Sequence, residues 1–440
     1  MSGQPLSLAR YGPEARRFIS FTKNKILGQP RIIEAYADVL ELVSAGFKER
    51  EGTLANYLIT GSSGVGKTES IKVLAEFLFN DRNGALRLDG PNYSDRYDVA
   101  RIKGSPPGYI GYGDEPVITQ RKLDTPVYHR VVDEFLEELP ETAQKYVERL
   151  WKQVFTLMMK KEEFLERETP SSRAHIAKID ADLEKIRQNL EDLGYPKMIP
   201  GGGPHPSLLH IDEIEKAHKT FYNILYSILN DGSLSLSQET ETGEPDHVSF
   251  INTICIATSN IGEEEVKKEL RRFQGREVSM GVHIGRESSL EELDQRIYAI
   301  TRKALDEHFS TPFLNRFDGV IAARPLFRDA IETILSNRIK DLQTELVTRW
   351  SFPVILNVTK PVRDFIVDKA TDRLEEGARL LKRKLRHYVT LPLSKIKNTE
   401  QVAPGDEIVA QLDVSGKKKQ IIFLKISPPK ARGLLAIPAP

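Results

Sequence analysis

Eight residues constrain this chain more than any others. The stretch GSSGVGKT, Gly61 to Thr68, satisfies G-x4-G-K-[S/T] and stands between an apolar run, LANYLIT, and a helical pattern from about Lys67 to Phe79. In that setting the glycines let backbone N–H groups close around phosphate oxygens at a helix N-terminus. Lys67 then reaches the β- and γ-phosphates and the Thr68 hydroxyl holds Mg²⁺, with Gly64, Val65, Gly66 and Glu69 completing the stretch that would bind ATP.

A phosphate loop needs a carboxylate for its metal and a base for an attacking water. LLHIDEIEKAH supplies Asp212 and Glu213 at the end of an apolar strand, SLLHID. ALRLD and VSFINTICIATS read as two further strands, the second ending in Asn260, which can orient the same water. Strands alternating with helices predict a mostly parallel sheet covered on both faces, and such a sheet brings its strand ends beside the phosphate loop. Paired acids at a strand end could otherwise be a solvated loop.

Composition narrows the partners. Lys plus Arg and Asp plus Glu both number 63 in 440 residues, so no overall field draws the chain to nucleic acid or to an anionic membrane. The one cysteine, Cys255, sits in an apolar run and reads as core filler in a reducing compartment. No apolar run reaches the roughly 18 residues of a membrane span. These features predict a soluble, cytoplasmic protein.

From Pro30 to Arg50 the residues Ile33, Tyr36, Val39, Leu40 and Val43 recur at helical spacing. The segment from about Leu123 to Gly203 breaks the strand–helix alternation. Its second half carries Ile176, Ile179, Leu183, Ile186, Leu190 and Leu193 in a heptad seam. Its first half carries Val147, Leu150, Val154, Leu157 and Phe164 on the same spacing, with Lys161 in the remaining seam position. A turn at Thr169 to Ser172 between them predicts an antiparallel helical hairpin; a pair of ordinary core helices is the alternative. The chain is helical again after Asn260. From about Arg328 a smaller unit follows, with helical patterns at Ile331 to Trp350 and Gly377 to Lys397 and strands FPVILNV, DEIVAQLDV and KQIIFLKI. The tail SPPKARGLLAIPAP has no period and reads as flexible.

The order of PPGYIGY, LLHIDEIEKAHKTFYNIL, ATSNIG, FLNRFD and GARLLKRKLRHYV closely resembles the second ATPase ring of the Clp-type AAA+ unfoldases and disaggregases. The resemblance covers about 15–120 and 204–425. It implies an α/β AAA+ fold: a large ATPase subdomain at 26–122 and 204–326, and a small C-terminal α+β lid domain at 327–425. An antiparallel coiled-coil hairpin is inserted at 123–203, with segments 1–25 and 426–440 outside. Lys67 and Thr68 match the family's Walker A pair, Asp212 and Glu213 its Walker B pair, and Asn260 its sensor-one asparagine. Arg316, in FLNRFD, matches the arginine finger that reaches a neighbour's γ-phosphate, and Arg379, in EGARLL, the sensor-two arginine. Ile26 and Leu27, in ILGQ, match the motif at the adenine pocket. Tyr109 and Ile110 match the pore loop that grips an extended polypeptide, and GSLSLSQETET after Asp231 stands where a second pore loop would be.

The resemblance implies an ATP-hydrolysing ring, hexameric by family analogy, that unfolds, threads or remodels polypeptides. A remodeller dedicated to one partner complex, or a motor on nucleic acid, is the alternative. The hairpin departs from the family pattern and predicts a docking arm for an adaptor, a regulator or a neighbouring subunit. Met280-Gly281-Val282, in SMGVHIG, matches a peptidase-docking loop poorly, so a peptidase partner is not expected.

Overall fold

The computed structural model describes residues 10–46, 52–104, 115–165, 170–197, 204–239, 245–280, 287–350, 352–415 and 419–427. The chain opens with α1 (Pro13–Thr22) and α2 (Pro30–Ser44), then β1 (Ala55–Thr60), α3 (Lys67–Phe79), β2 (Leu86–Asp89), α4 (Arg96–Lys103) and α5 (Gln120–Glu138). Two long helices, α6 (Glu141–Leu165) and α7 (Pro170–Asp192), precede β3 (Ser207–Asp212) and α8 (Lys219–Tyr226). Next come β4 (Ser233–Glu239), β5 (Pro245–Ser249), β6 (Thr253–Ser259), α9 (Glu263–Met280), α10 (Glu287–His308), α11 (Thr311–Leu314) and β7 (Gly319–Ala322). The smaller unit holds α12 (Arg328–Arg349), β8 (Ile355–Val358), α13 (Lys360–Thr371), α14 (Gly377–Leu385), α15 (Leu391–Asn398), β9 (Glu407–Asp413) and β10 (Gln420–Ile426).

The main sheet runs β2-β3-β6-β1-β7, with every pairing parallel. Its strands are apolar on both faces because helices cover both. Successive residues divide accordingly: Leu208, Ile254 and Ile256 join Phe18, Tyr36, Ile71 and Leu74 on one side. Leu209, Ile211, Cys255 and Ala257 join Phe221, Phe250 and Phe313 on the other. Cys255 is core filler, and burial pushes its thiol up to about 12. Among the described residues no helix is long and apolar enough to cross a membrane.

Several elements differ from the sequence expectation. VSFINTICIATS is not one strand: β5 and β6 are separated by a turn in which Phe250 N–H donates to Gly232 and Thr253 N–H to Phe250. The stretch expected as a loop after Asp231 is β4, an antiparallel partner of β5, with Leu234 and Leu236 buried and Ser235 exposed. β7 was not foreseen, since four residues flanked by Asp318 and Pro325 carry no strand period; the Asp318 carboxylate accepts the Asn56 N–H at 2.7 Å and holds it beside β1. The segment before Ile26 contains α1, whose Phe18 is buried edge-on to Phe77 at 5.1 Å. The helix expected from Pro30 to Arg50 is described to Ser44, with Ile33 and Val43 only half-buried.

The insertion narrows as well. Leu123 and Val127 on α5 are buried in the two cores of the ATPase sheet, so α5 belongs to that body and the hairpin is α6 and α7 alone. Val147, Leu150, Ile186 and Leu190 form the buried seam between them. At the seam position that Lys161 occupies, its ammonium reaches Asp180 across the hairpin at 2.5 Å. Of the expected turn, Pro170 to Ser172 are the first residues of α7, and Thr169 lies outside the described residues.

In the small unit β8 pairs parallel and β10 antiparallel with β9, around a core that includes Leu335, Ile366, Leu381 and Ile408. The helical pattern from Gly377 to Lys397 is interrupted by a π turn at Arg386–Thr390. The cause is Pro392, which has no N–H to give and whose ring would collide with the carbonyl one turn back.

Candidate functional site

Strand order decides where the motif residues meet. β3, β6 and β1 are neighbours in that order and all parallel, so Asp212–Glu213, Asn260 and the loop after Thr60 emerge at one edge of the sheet. The loop turns through Gly61, Gly64 (φ +84°) and Gly66 (φ +108°) into the first turn of α3. A side chain on Gly66 would meet nothing within 4 Å, so the loop's inner face is open where a phosphate would lie. Lys67 is buried, which lowers its pKa to about 8, although Glu263, Glu215 and Asp212 favour its charge. Its ammonium donates to the carbonyls of Gly61 and Ser62 and, at 2.9 Å, to Asn260 Oδ1.

Asn260 is the bridge of the site. While Oδ1 accepts a hydrogen bond from the Lys67 ammonium, Nδ2 donates to Glu213 Oε1 at 3.1 Å. Glu213 sits at φ +51°, a conformation side chains rarely adopt. It is held there by its own N–H to Thr258 Oγ1 at 3.3 Å and by Lys216 on Oε2 at 2.7 Å. The Thr258 hydroxyl in turn donates to Asp212 Oδ1 at 2.5 Å, so one β6 side chain fixes both acids. Asp212 Oδ2 accepts from Arg87 on β2 at 2.8 Å, and the buried His210 lies 3.8 Å from Oδ1. Thr68, on the first turn of α3, is half-buried and Glu69 exposed.

The small unit docks on this edge through backbone. Ala378 N–H donates to the Gly64 carbonyl at 3.0 Å. Gly377, at φ +54°, is required there: a Cβ on it would stand 2.6 Å from that carbonyl oxygen. Arg379 lies beside Gly64 and lines a cavity of about 490 Å³ with Ser63, Glu263, Lys267, Glu376 and Lys382. Ile26 is buried, and Leu27 packs against the core of the small unit.

Of the residues singled out from sequence, Gly64, Val65, Gly66, Lys67, Thr68, Asp212, Glu213, Asn260 and Arg379 gather at this edge. Arg316 does not join them: it follows α11 on the exposed surface, with no side-chain hydrogen bond or ion pair among the described residues. Tyr109, Ile110 and residues 281–286 of the candidate peptidase loop lie outside the described residues. Sequence reasoning missed Arg87, Thr258 and Gln29. Gln29 Nε2 donates to the carbonyls of Val65 and Arg324, and its Oε1 accepts the Arg324 N–H, tying the phosphate loop to the chain after β7. Only its position after Ile26-Leu27-Gly28 could have signalled it.

A parallel sheet with a glycine loop, paired acids and a polar bridge on one edge, capped by a small α+β unit, defines a phosphate-loop nucleotide-binding protein. The model of the AAA domain (Cdc48 subfamily) matches residues 53–140 and 200–320, and that of the C-terminal, D2-small domain of ClpB protein matches 326–410. With about two thirds of its residues so matched, the chain belongs to the AAA+ family, where it resembles the C-terminal ATPase domain of Clp chaperones. Chaperone protein ClpB of Meiothermus ruber is 27% identical over 381 residues, 87% of this chain and 32% of that one. Probable chaperone protein ClpB 1 of Chlorobaculum tepidum is 26% identical over 392 residues, 88% of this chain and 66% of the relative. The fold is shared with Hsp104, solved in a closed state with ATPγS and FITC casein, at a TM-score of 0.61 and 20% identity over 93% of this chain and 52% of that one. The chain spans about a third of the length of most of the curated relatives it matches.

Proposed function

We propose that this chain hydrolyses ATP with Mg²⁺, and that a ring of copies, hexameric by analogy with its relatives, uses the cycle to unfold or remodel polypeptides. The observation that carries this is the hydrogen-bonded run from Lys67 through Asn260 to Glu213, which joins three distant motifs at one sheet edge. The residues fit the nucleotide: an open glycine cradle, a buried ammonium, and a hydroxyl and carboxylate for the ion. Magnesium is commonly held by one or two protein groups plus substrate phosphates, which is what Thr68 and Asp212 offer. When bound, the ion would offset charge on the phosphates.

The chain's own residues supply the rest. Lys67 exchanges loop carbonyls for phosphate oxygens. Glu213 polarises the attacking water, and Asn260 orients both that water and the Glu213 carboxylate. Arg379 senses the nucleotide from the small unit, whose backbone already touches the loop at Gly64. Ile26 and Leu27 wall the adenine. Arg316, exposed, serves the neighbour's site, so activity depends on assembly. Tyr109 and Ile110 grip the polypeptide, and the capture of Hsp104 with casein and a nucleotide supports a polypeptide over nucleic acid as substrate. The α6–α7 hairpin is the docking arm for an adaptor or regulator. The protein works in the cytoplasm, a setting that suits its one buried cysteine.

The test is steady-state ATP hydrolysis over a range of protein concentration, with and without an unfolded polypeptide, in the parent, Arg316→Ala and Tyr109→Ala. Activity should rise cooperatively with concentration and be stimulated by polypeptide. Arg316→Ala should lose the basal rate and Tyr109→Ala only the stimulation. Activity indifferent to polypeptide would return the reading to a dedicated remodeller.

A further inference from the structure

Two carboxylates stand side by side at the end of the sheet. Asp89 and Asp212 are register partners on the parallel strands β2 and β3, and such strands lie only about 4.8 Å apart with paired side chains on one face. Like charges set opposite one another in this way repel. Asp89 has no other task in view, since its side chain makes no capping bond to the helical turn at Gly90–Tyr93 that follows it. Arg87 shares their face because it precedes Asp89 by two residues on β2. Its Nη2 is 2.6 Å from Asp89 Oδ1 and 2.8 Å from Asp212 Oδ2. A terminal guanidinium nitrogen carries two hydrogens, so one atom can serve both acids.

The Asp212 carboxylate is thereby pinned from both sides. Oδ1 accepts from Thr258 on β6 at 2.5 Å and Oδ2 from Arg87 on β2, so the two neighbouring strands fix its plane. Each carboxylate oxygen offers two lone-pair sites, which leaves room for an ion or an ion-bound water. Lys67 is committed to Gly61, Ser62 and Asn260, and among the described residues neither it nor Lys72, also on α3, makes an ion pair with either acid. The guanidinium is therefore the counter-ion of the pair. Without one, adjoining carboxylates are the hard oxygen ligands that a divalent cation takes. Arginine stays charged at any working pH, so that place remains filled by a charge the chain carries itself.

We propose that Arg87 is a positioning residue for the magnesium site: it aims Asp212 and keeps a divalent ion from settling between Asp89 and Asp212, so that metal is taken up only together with the phosphates of the nucleotide. The inference rests on Asp212 being the acid that holds the ion and adds what makes that acid wait for nucleotide.

The test uses the full chain and Mn²⁺ as the probe, with the free ion followed by electron paramagnetic resonance. Without nucleotide, Arg87→Met should bind one Mn²⁺ at least about tenfold more tightly than the parent. The gain should disappear in Arg87→Met with Asp89→Asn, and Arg87→Lys, which keeps a cation, should gain less than Arg87→Met. Arg87 is exposed on the edge strand β2, so its loss should leave the melting temperature little changed, and Arg87→Gln repeats the measurement if methionine lowers it. A clip that only held β2 to β3 would move the melting temperature and not the ion. No gain in Arg87→Met or Arg87→Gln overturns the proposal, and so does a gain that survives Asp89→Asn. Asp212→Asn, measured with ATPγS present, separates the two readings. Mn²⁺ binding unchanged by it would refute Asp212 as the metal-holding acid and this inference with it. Weakened binding there, with no nucleotide-free gain in Arg87→Met, would refute the role of Arg87 alone.

Discussion

The sheet edge and the hairpin differ in how many bonds hold each functional side chain. At the edge, Lys67, Asp212, Glu213 and Asn260 are each fixed by at least two partners drawn from different strands or loops. Along α6, the exposed Trp151, Phe155, Met158 and Met159 have one such fixture, the hydrogen bond from Trp151 to Tyr195, and the seam has one partly exposed ion pair, Lys161 to Asp180. A site that must place a water and a metal needs its groups held in advance. A surface that must accept a partner gains by leaving them free. Substitution at the edge should therefore be costly and specific, and substitution on the hairpin mild.

Asn260→Ala should have a larger effect than the three changes that follow it. It removes one acceptor of Lys67 and one donor to Glu213 together, so turnover should fall by about 10²-fold, in the range for losing a group that orients general-base chemistry. Single-turnover hydrolysis measures this, and a loss under about threefold would show that the bridge is structural only.

Gly377→Ala comes next. The new Cβ would meet the Gly64 carbonyl at a positive φ, a strain of about 1–3 kcal/mol, so either the small unit lifts off the phosphate loop or the loop deforms. Nucleotide affinity should fall about tenfold while the α6–α7 seam, followed by hydrogen exchange, stays protected.

A pH titration separates binding from stability. The folded pKa of Lys67 is lowered by burial from 10.5 to about 8, so between those values the unfolded chain holds more protons than the folded one. From this group, folding stability rises with pH through that window as the buried charge is relieved. Phosphate affinity changes the opposite way, since a neutral amine no longer attracts phosphate. Nucleotide binding should weaken above about pH 8, and the change should vanish in Lys67→Ala. Affinity flat from neutral pH to 10 in the parent would show that Lys67 stays charged.

Lys161→Met should have the smallest effect. The ion pair is partly exposed and worth at most about 1 kcal/mol, and methionine restores an apolar seam, so the hairpin's stability should change little. Unfolding of α6 and α7 by this change would mean that the seam depends on the pair.

What the sequence made legible follows the same division. The phosphate loop is contiguous and β1, β3 and β6 are short, largely apolar segments that each end at their motif, so Gly61–Thr68, Asp212–Glu213 and Asn260 could each be read in place. Their partners could not, because Arg87 meets Asp212 and Thr258 meets Glu213 only through strand register. β7 is too short to show a period, and β4 hid its alternation of Leu234, Ser235 and Leu236 among serines that resemble a loop. The heptad seam was legible because its period is long and strict. The exposed stripe on the same helix was not, since Trp151, Phe155, Met158 and Met159 become a separate face only when the seam residues are seen to be occupied.

The most direct test of the central claim is to measure nucleotide affinity and single-turnover hydrolysis together in Glu213→Gln. The geometry predicts affinity within a few-fold of the parent, because Lys67 and the glycine loop remain, and turnover lower by about 10²-fold or more, because the amide cannot take the water's proton. Hydrolysis at the parent rate would contradict the account, and so would loss of nucleotide binding with it, since either result would mean that Glu213 is not the base at this edge.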